Sequence, residues 1–174
     1  MKILVVEDNA IHQEAARAQL SKGNDLTVVD KYEEAEKLIQ DMSFDAVLVD
    51  LMLPASGRAL RPEAKNLFAG KEMPIGIFLA LLAAKNGAKF IAVLSDSSHH
   101  DHPASAALDF FNQEGCENPT IMMVGEAKMI LTNNQSWLGC FKKSNMAKDV
   151  GWKKKHDVFA KNWGKLLQCL INSK

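Results

Sequence analysis

Three cysteines in 174 residues, Cys116, Cys140 and Cys169, are too few, too scattered and odd in number. That argues against a disulfide framework and against a paired-thiolate zinc site, and for a reducing compartment. Long hydrophobic runs are also lacking. The longest candidate, Ile75 to Ala84, is too short to span a bilayer. Charge of one sign is missing too, because 21 basic and 21 acidic residues cancel. No global field therefore argues for nucleic acid or a membrane surface. The N-terminus enters a strand-like run at once, without a signal-peptide pattern. There is no internal repeat and no low-complexity segment. The expectation is a soluble cytoplasmic protein with one domain over residues 1–174.

What the sequence does have is a run, Ala46-Val47-Leu48-Val49-Asp50-Leu51-Met52-Leu53-Pro54, that is apolar, ends in a carboxylate and breaks at proline. Such a run reads as a strand buried on both faces, with Asp50 at its carboxyl end. Ligands bind at that edge of open parallel sheets, although a strand-end Asp also serves as a cap or turn former. A second run, Lys2-Ile3-Leu4-Val5-Val6, ends in Glu7-Asp8-Asn9. If the two strands are parallel neighbours, Glu7, Asp8 and Asp50 converge. Three ionised carboxylates repel one another unless a cation sits among them, and Mg²⁺ suits an all-oxygen set. The plainer reading gives Asp8 or Asn9 only a helix cap.

These residues carry a resemblance. Val5-Val6-Glu7-Asp8-Asn9 followed by Val49-Asp50-Leu51-Met52-Leu53-Pro54 is similar to the receiver domain of two-component response regulators, as is the helix-like Tyr32 to Ile39 between them. The match covers residues 1 to 54 well and the remainder in patches. The resemblance implies Mg²⁺ held by Glu7 and Asp8, and a phosphoryl group accepted on Asp50 from a histidine kinase. It also implies a flavodoxin-like sheet of five parallel strands in the order 2-1-3-4-5, with helices on both faces.

The residues themselves give the same alternation. A strand over Lys2 to Val6, a helix over Ala10 to Lys22, a strand over Leu26 to Val29 and a helix over Tyr32 to Asp41 lead into the strand that delivers Asp50. Beyond Pro54 comes a charged insertion, about 58–74, whose prolines and glycines argue against one continuous helix. Its Arg58, Arg61, Lys65 and Lys71 either reach an anion at Asp50 or lie in solvent. A helix over Ile75 to Asn86 and a strand over Lys89 to Leu94 follow, then Ser95. The resemblance makes Ser95 the switch hydroxyl that turns toward a phosphorylated Asp, while the local reading makes it a turn cap. His99-His100-Asp101-His102 offers imidazole and carboxylate ligands for a second divalent metal such as Zn²⁺, Fe or Mn²⁺, or else a solvated or pH-sensitive loop.

A helix is expected over Ala104 to Gln113, then two strands, Thr120 to Val124 and Ala127 to Thr132, around Gly125-Glu126. The receiver pattern wants a Lys, usually before Pro, after the fifth strand. If Ala127 to Thr132 is that strand, Asn133-Asn134 stands there instead; if Leu138 to Lys143 is, Lys142 or Lys143 takes the phosphate-pairing role. A second insertion, about 134–157, is basic and contains Trp152. A last helix carries Phe159, Trp163, Leu166, Leu167 and Leu170 on one face, with Asp157 as its expected N-cap.

Three functional readings follow. The first is a stand-alone receiver without a DNA-binding domain, phosphorylated by a sensor histidine kinase or phosphotransfer protein and acting on a downstream protein target. The second is a pseudo-receiver that binds partners without phosphoryl transfer, favoured by the missing Lys-Pro. A Lys ammonium within reach of Asp50 discriminates the two. The third is a metal-dependent enzyme using the His99 to His102 cluster; a dehalogenase-type phosphatase would want an acid where Met52 stands.

Overall fold

The architecture follows from where the apolar runs pair. The structure, a computed structural model, describes residues 1–58, 60–112, 119–133, 137–141 and 158–173. The elements in chain order are β1 (Lys2–Val6), α1 (Ala10–Leu20), β2 (Asp25–Val29), α2 (Tyr32–Asp41) and β3 (Ala46–Asp50). An excursion of β4 (Leu53–Pro54), α3 (Pro62–Phe68) and β5 (Glu72–Met73) leads to α4 (Gly76–Lys85) and β6 (Phe90–Leu94). Then come α5 (Pro103–Ala107), a 3-10 turn (Leu108–Phe111), β7 (Ile121–Val124), β8 (Ala127–Thr132), β9 (Leu138–Phe141), β10 (Val158–Lys161) and α6 (Trp163–Asn172).

The main sheet has the order β2-β1-β3-β6-β8-β7. Its first five strands are parallel, and β7 adds antiparallel to β8 through the Gly125 turn, where φ is +61°. This is the flavodoxin-like order expected from the sequence, with Ala127–Thr132 as its fifth parallel strand. The register pairs Val6 with Val49 and Asp50 with Leu94. Glu7, Asp50 and Ser95 therefore meet at one carboxyl edge. β3 is buried throughout, as its unbroken apolar run requires.

Side chains alternate across the sheet. Leu4, Val6, Val47, Val49 and Val93 pack toward α2 and α4, where Ala35, Ile39, Leu79 and Ala83 meet them. Ile3, Val5, Leu48, Ala92 and Ile130 pack toward α1 and α6, against Ala16, Leu20, Trp163, Leu166 and Leu170. Burying a Leu or Ile in either layer contributes ~1.5–3 kcal/mol, which fixes the register that sets the edge.

Four expectations change. Leu138–Phe141 is not a strand of the main sheet: β9 pairs antiparallel with β10 in a separate two-stranded unit. The charged excursion contains a short helix, α3, whose N1 proline fits a helix start and which buries no residue. The expected helix from Ala104 shortens to α5 and a 3-10 turn. Finally, Phe159 belongs to β10 and is exposed; α6 begins at Trp163, capped by Asn162, whose side chain accepts the Lys165 N–H. Asp157 and Trp152 lie outside the described residues.

One glycine ties α4 to the edge. A Cβ on Gly76 would lie 1.9 Å from the Asp50 carbonyl oxygen and 3.0 Å from Val49 Cγ1. Neither backbone can yield without moving β3 or α4. Gly76→Ala is expected to lower unfolding free energy by about 2–3 kcal/mol in urea titrations. Wild-type stability in that variant would contradict the close approach.

Candidate functional site

The site grows from the ends of β1, β3 and β6. Glu7 follows β1 and is fully buried. Its Oε1 accepts the Asn9 N–H at 3.0 Å, which folds the chain back toward α1. Asn9 caps α1 by accepting the Ile11 N–H at 2.9 Å. Capping thus falls to Asn9 and leaves Asp8 for the pocket. Asp50 ends β3, and its Oδ1 accepts the Met52 N–H at 3.2 Å. Ligand oxygens of Glu7, Asp8 and Asp50 lie within 4.8 Å of one another.

The cation among them belongs to the chain. Lys161, at the end of β10, is fully buried, with Nζ 2.8 Å from Glu7 Oε2 and 2.9 Å from Asp50 Oδ2. Asp96 Oδ1 lies 3.7 Å away. Lys142 and Lys143, the sequence candidates for this role, lie outside the described residues. Lys161 holds the position, delivered by the β9–β10 pair rather than by the main sheet.

Lys161 is fixed from several sides. Its backbone N–H donates to His12 Nδ1 at 3.3 Å, and its carbonyl accepts Gln19 Nε2–H at 3.1 Å. With Nδ1 accepting, the His12 proton sits on Nε2 and is donated to Asp96 Oδ2 at 2.9 Å. The Trp163 indole N–H donates to the His12 carbonyl at 3.1 Å, and its ring centroid lies 5.6 Å from Lys161 Nζ. α1 and the start of α6 thereby clamp the lysine.

Electrostatics follow from burial. Desolvation alone would lower the Lys161 pKa, but Glu7, Asp50 and Asp96 outweigh it and raise it, so the ammonium stays charged. Burial raises the Asp50 pKa against the pull of Lys161. Burial likewise pushes Glu7 from its ordinary 4.5 up to about 8, again against Lys161. A single buried cation facing two buried carboxylates is neutral overall when one of them keeps a proton. The hydrogen bond from His12 holds Asp96 well below the usual carboxylate range.

Asp50 is reached from solvent through a cleft of about 330 Å³ lined by Asp8, Asn9, Met52, Glu72, Asp96 and Ser97. The excursion thus presents Glu72 there, not its bases. Arg58 and Lys65 instead line a neighbouring open cleft of about 840 Å³. Ser95 is buried beside Asp50's strand, and its Oγ accepts the Ser97 N–H at 3.2 Å. Carboxylate oxygens of Glu7, Asp8 and Asp50, the last two of these residues lining the cleft, form a donor set that suits a hard divalent cation.

His99, His100, Asp101 and His102 do not join this pocket. His102 Nδ1 accepts the Ala104 N–H and caps α5. Among the described residues, Glu7, Asp8 and Asp50 are the one set of three or more acidic, His or Cys side chains placed to share an ion. Sequence reasoning missed Lys161 and His12. The available signal was a polar residue closing the short apolar run Val158-Phe159-Ala160, the same pattern that marked Asp50.

A parallel sheet in this order, with an acidic trio and a buried lysine at its carboxyl edge, makes the chain a flavodoxin-like α/β domain. Among solved structures it is similar to the signal receiver domain of a modulated diguanylate cyclase from Desulfovibrio desulfuricans G20, at 30% identity and a TM-score of 0.40. That likeness covers 56% of this chain, which spans 65% of the other. No protein-family model and no curated protein matches the chain. No described helix is long and apolar enough to cross a membrane.

The raised Glu7 pKa carries a sign. A carboxyl whose folded pKa exceeds its unfolded one stabilises fully below the unfolded value and loses that contribution as pH rises to the folded one. Stability should therefore fall between about pH 4.5 and pH 8, and Glu7→Gln should flatten that slope in urea titrations at fixed pH. An unchanged slope in the variant would assign it elsewhere.

Proposed function

We propose that this chain is a phosphoryl-controlled signal receiver in which Asp50 is the acceptor. The observation that carries the reading is the Lys161 ammonium 2.9 Å from Asp50 Oδ2, at the floor of a cleft open to a donor. That contact supplies the cation whose absence from Asn133-Asn134 favoured a pseudo-receiver. In the reaction an Asp50 carboxylate oxygen forms a bond to phosphorus as the donor's bond to phosphorus breaks, and the leaving group departs through the cleft. Lys161 orients Asp50 and stabilises negative charge on the phosphoryl oxygens. Met52 N–H holds the other carboxylate oxygen in place. Glu7, Asp8 and Asp50 would hold Mg²⁺, which when bound would neutralise further phosphoryl charge.

Ser95 is the proposed responder: its hydroxyl lies at the adjacent strand end and can turn toward new phosphoryl oxygens. The donor would be a sensor histidine kinase or a phosphotransfer protein, and the output a contact with a protein target. A second reading, a pseudo-receiver, is favoured by one feature: Lys161 also grips Glu7 Oε2, so one of the acids that a cation would need is already paired.

Incubation with acetyl phosphate and Mg²⁺, followed by intact mass, separates the two. The receiver reading expects one added phosphoryl group in the wild type and none in Asp50→Asn. An unmodified wild-type chain, under conditions that label ordinary receivers, supports the pseudo-receiver.

A further inference from the structure

The geometry points to a second metal site, away from the acidic pocket: His99 and His100 together bind one divalent transition ion, such as Zn²⁺, Ni²⁺ or Cu²⁺, through their Nε2 atoms. The two residues sit in a turn closed by the Asp101 N–H donating to the Ser98 carbonyl at 3.0 Å. Ser98 Oγ also accepts the His100 N–H at 3.2 Å. Their Nε2 atoms lie 2.8 Å apart, with the rings nearly perpendicular at 70°. Both side chains are on the surface, where an ion and its waters have access.

A carboxylate orients one ligand. His99 Nδ1 lies 2.8 Å from Asp109 Oδ2, so the proton belongs on Nδ1 and the Nε2 lone pair faces His100. Asp109 is itself set from beneath. Its Oδ1 accepts Asn133 Nδ2–H at 2.8 Å, and Asn133 is buried, donating also to the Ser105 carbonyl at 2.7 Å. Asn133 Oδ1 accepts from Asn112 at 2.6 Å, and Thr132 donates to the Asn112 oxygen at 2.6 Å. A carboxylate fixing the far nitrogen of a ligating imidazole is the usual outer support of a metal-binding His.

Without metal, one proton must bridge two Nε2 lone pairs that face each other. A metal ion replaces that proton. Tetrahedral zinc with bonds of about 2.05 Å spreads two nitrogens by about 3.3 Å, so the pair need open by only about half an ångström. Imidazole ligands select this class of ion over Mg²⁺. Water completes the coordination. The arrangement also gives Asn133, which stands where the receiver pattern wants a lysine, a task of its own.

The test is calorimetric titration of the full chain with ZnCl₂ in excess Mg²⁺, which keeps the oxygen-only pocket from competing. One zinc per chain is expected, and it should disappear in the His99→Ala, His100→Ala double variant. Asp109→Asn should weaken binding about 10- to 100-fold by freeing His99. Asp50→Asn should leave binding unchanged, whatever the outcome of the phosphoryl test. No zinc uptake by the wild type, or uptake that survives the double variant, would overturn the proposal.

Discussion

A buried ammonium between two buried carboxylates is the constraint on which this structure turns. Lys161 touches Glu7 and Asp50 at salt-bridge distance, and all three are almost wholly removed from water. Low-dielectric surroundings make each of these charges costly alone and acceptable together. β1 and β3 must therefore end level with each other, and the β10 strand must bring its last residue to the same point. The sheet register supplies the first condition, because Val6 faces Val49. The β9–β10 unit, tied to α1 through His12 and leading directly into α6, supplies the second.

The lysine's route gives this domain its particular form. β8 ends at Thr132, which with the following Asn133 turns to a polar network under the His99 loop. The cation then arrives from outside the sheet, tied to α1 through His12 and to Asp96 by the same imidazole. Any change that loosens α1 or the start of α6 would be felt at Asp50. The β4–α3–β5 excursion works from the other side, placing Glu72 at the mouth of the cleft. Negative charge at that mouth disfavours an incoming phosphoryl group unless a cation accompanies it.

The layered fold was legible because it rests on short-range signals. Strand-length apolar runs, their terminal acids and the amphipathic α2 and α6 could all be read locally, and the acids named their own edge. Ala127–Thr132 was readable as a strand from the Gly125 turn, but a second frame beginning at Leu138 competed with it for the fifth place. The lysine was not legible, since its partners lie 154 and 111 positions away in sequence. The one local signal, a polar residue closing the short run Val158-Phe159-Ala160, does not say which charges that residue will meet. Phe159 misled for a related reason: it sits at helical spacing from Trp163, yet β10 turns it outward. The paired His99 and His100 rings were visible as a cluster, but their carboxylate, Asp109, comes from the turn after α5 and not from the adjacent Asp101.

The central claim is that Lys161 and Asp50 form one coupled electrostatic unit. A double-mutant cycle on unfolding free energy, with Lys161→Met, Asp50→Asn and the pair, measures that coupling alone. The account predicts a coupling of about 2 kcal/mol or more, at the upper end for residues in direct contact. Additivity within about 0.5 kcal/mol, as for groups that do not touch, would contradict it.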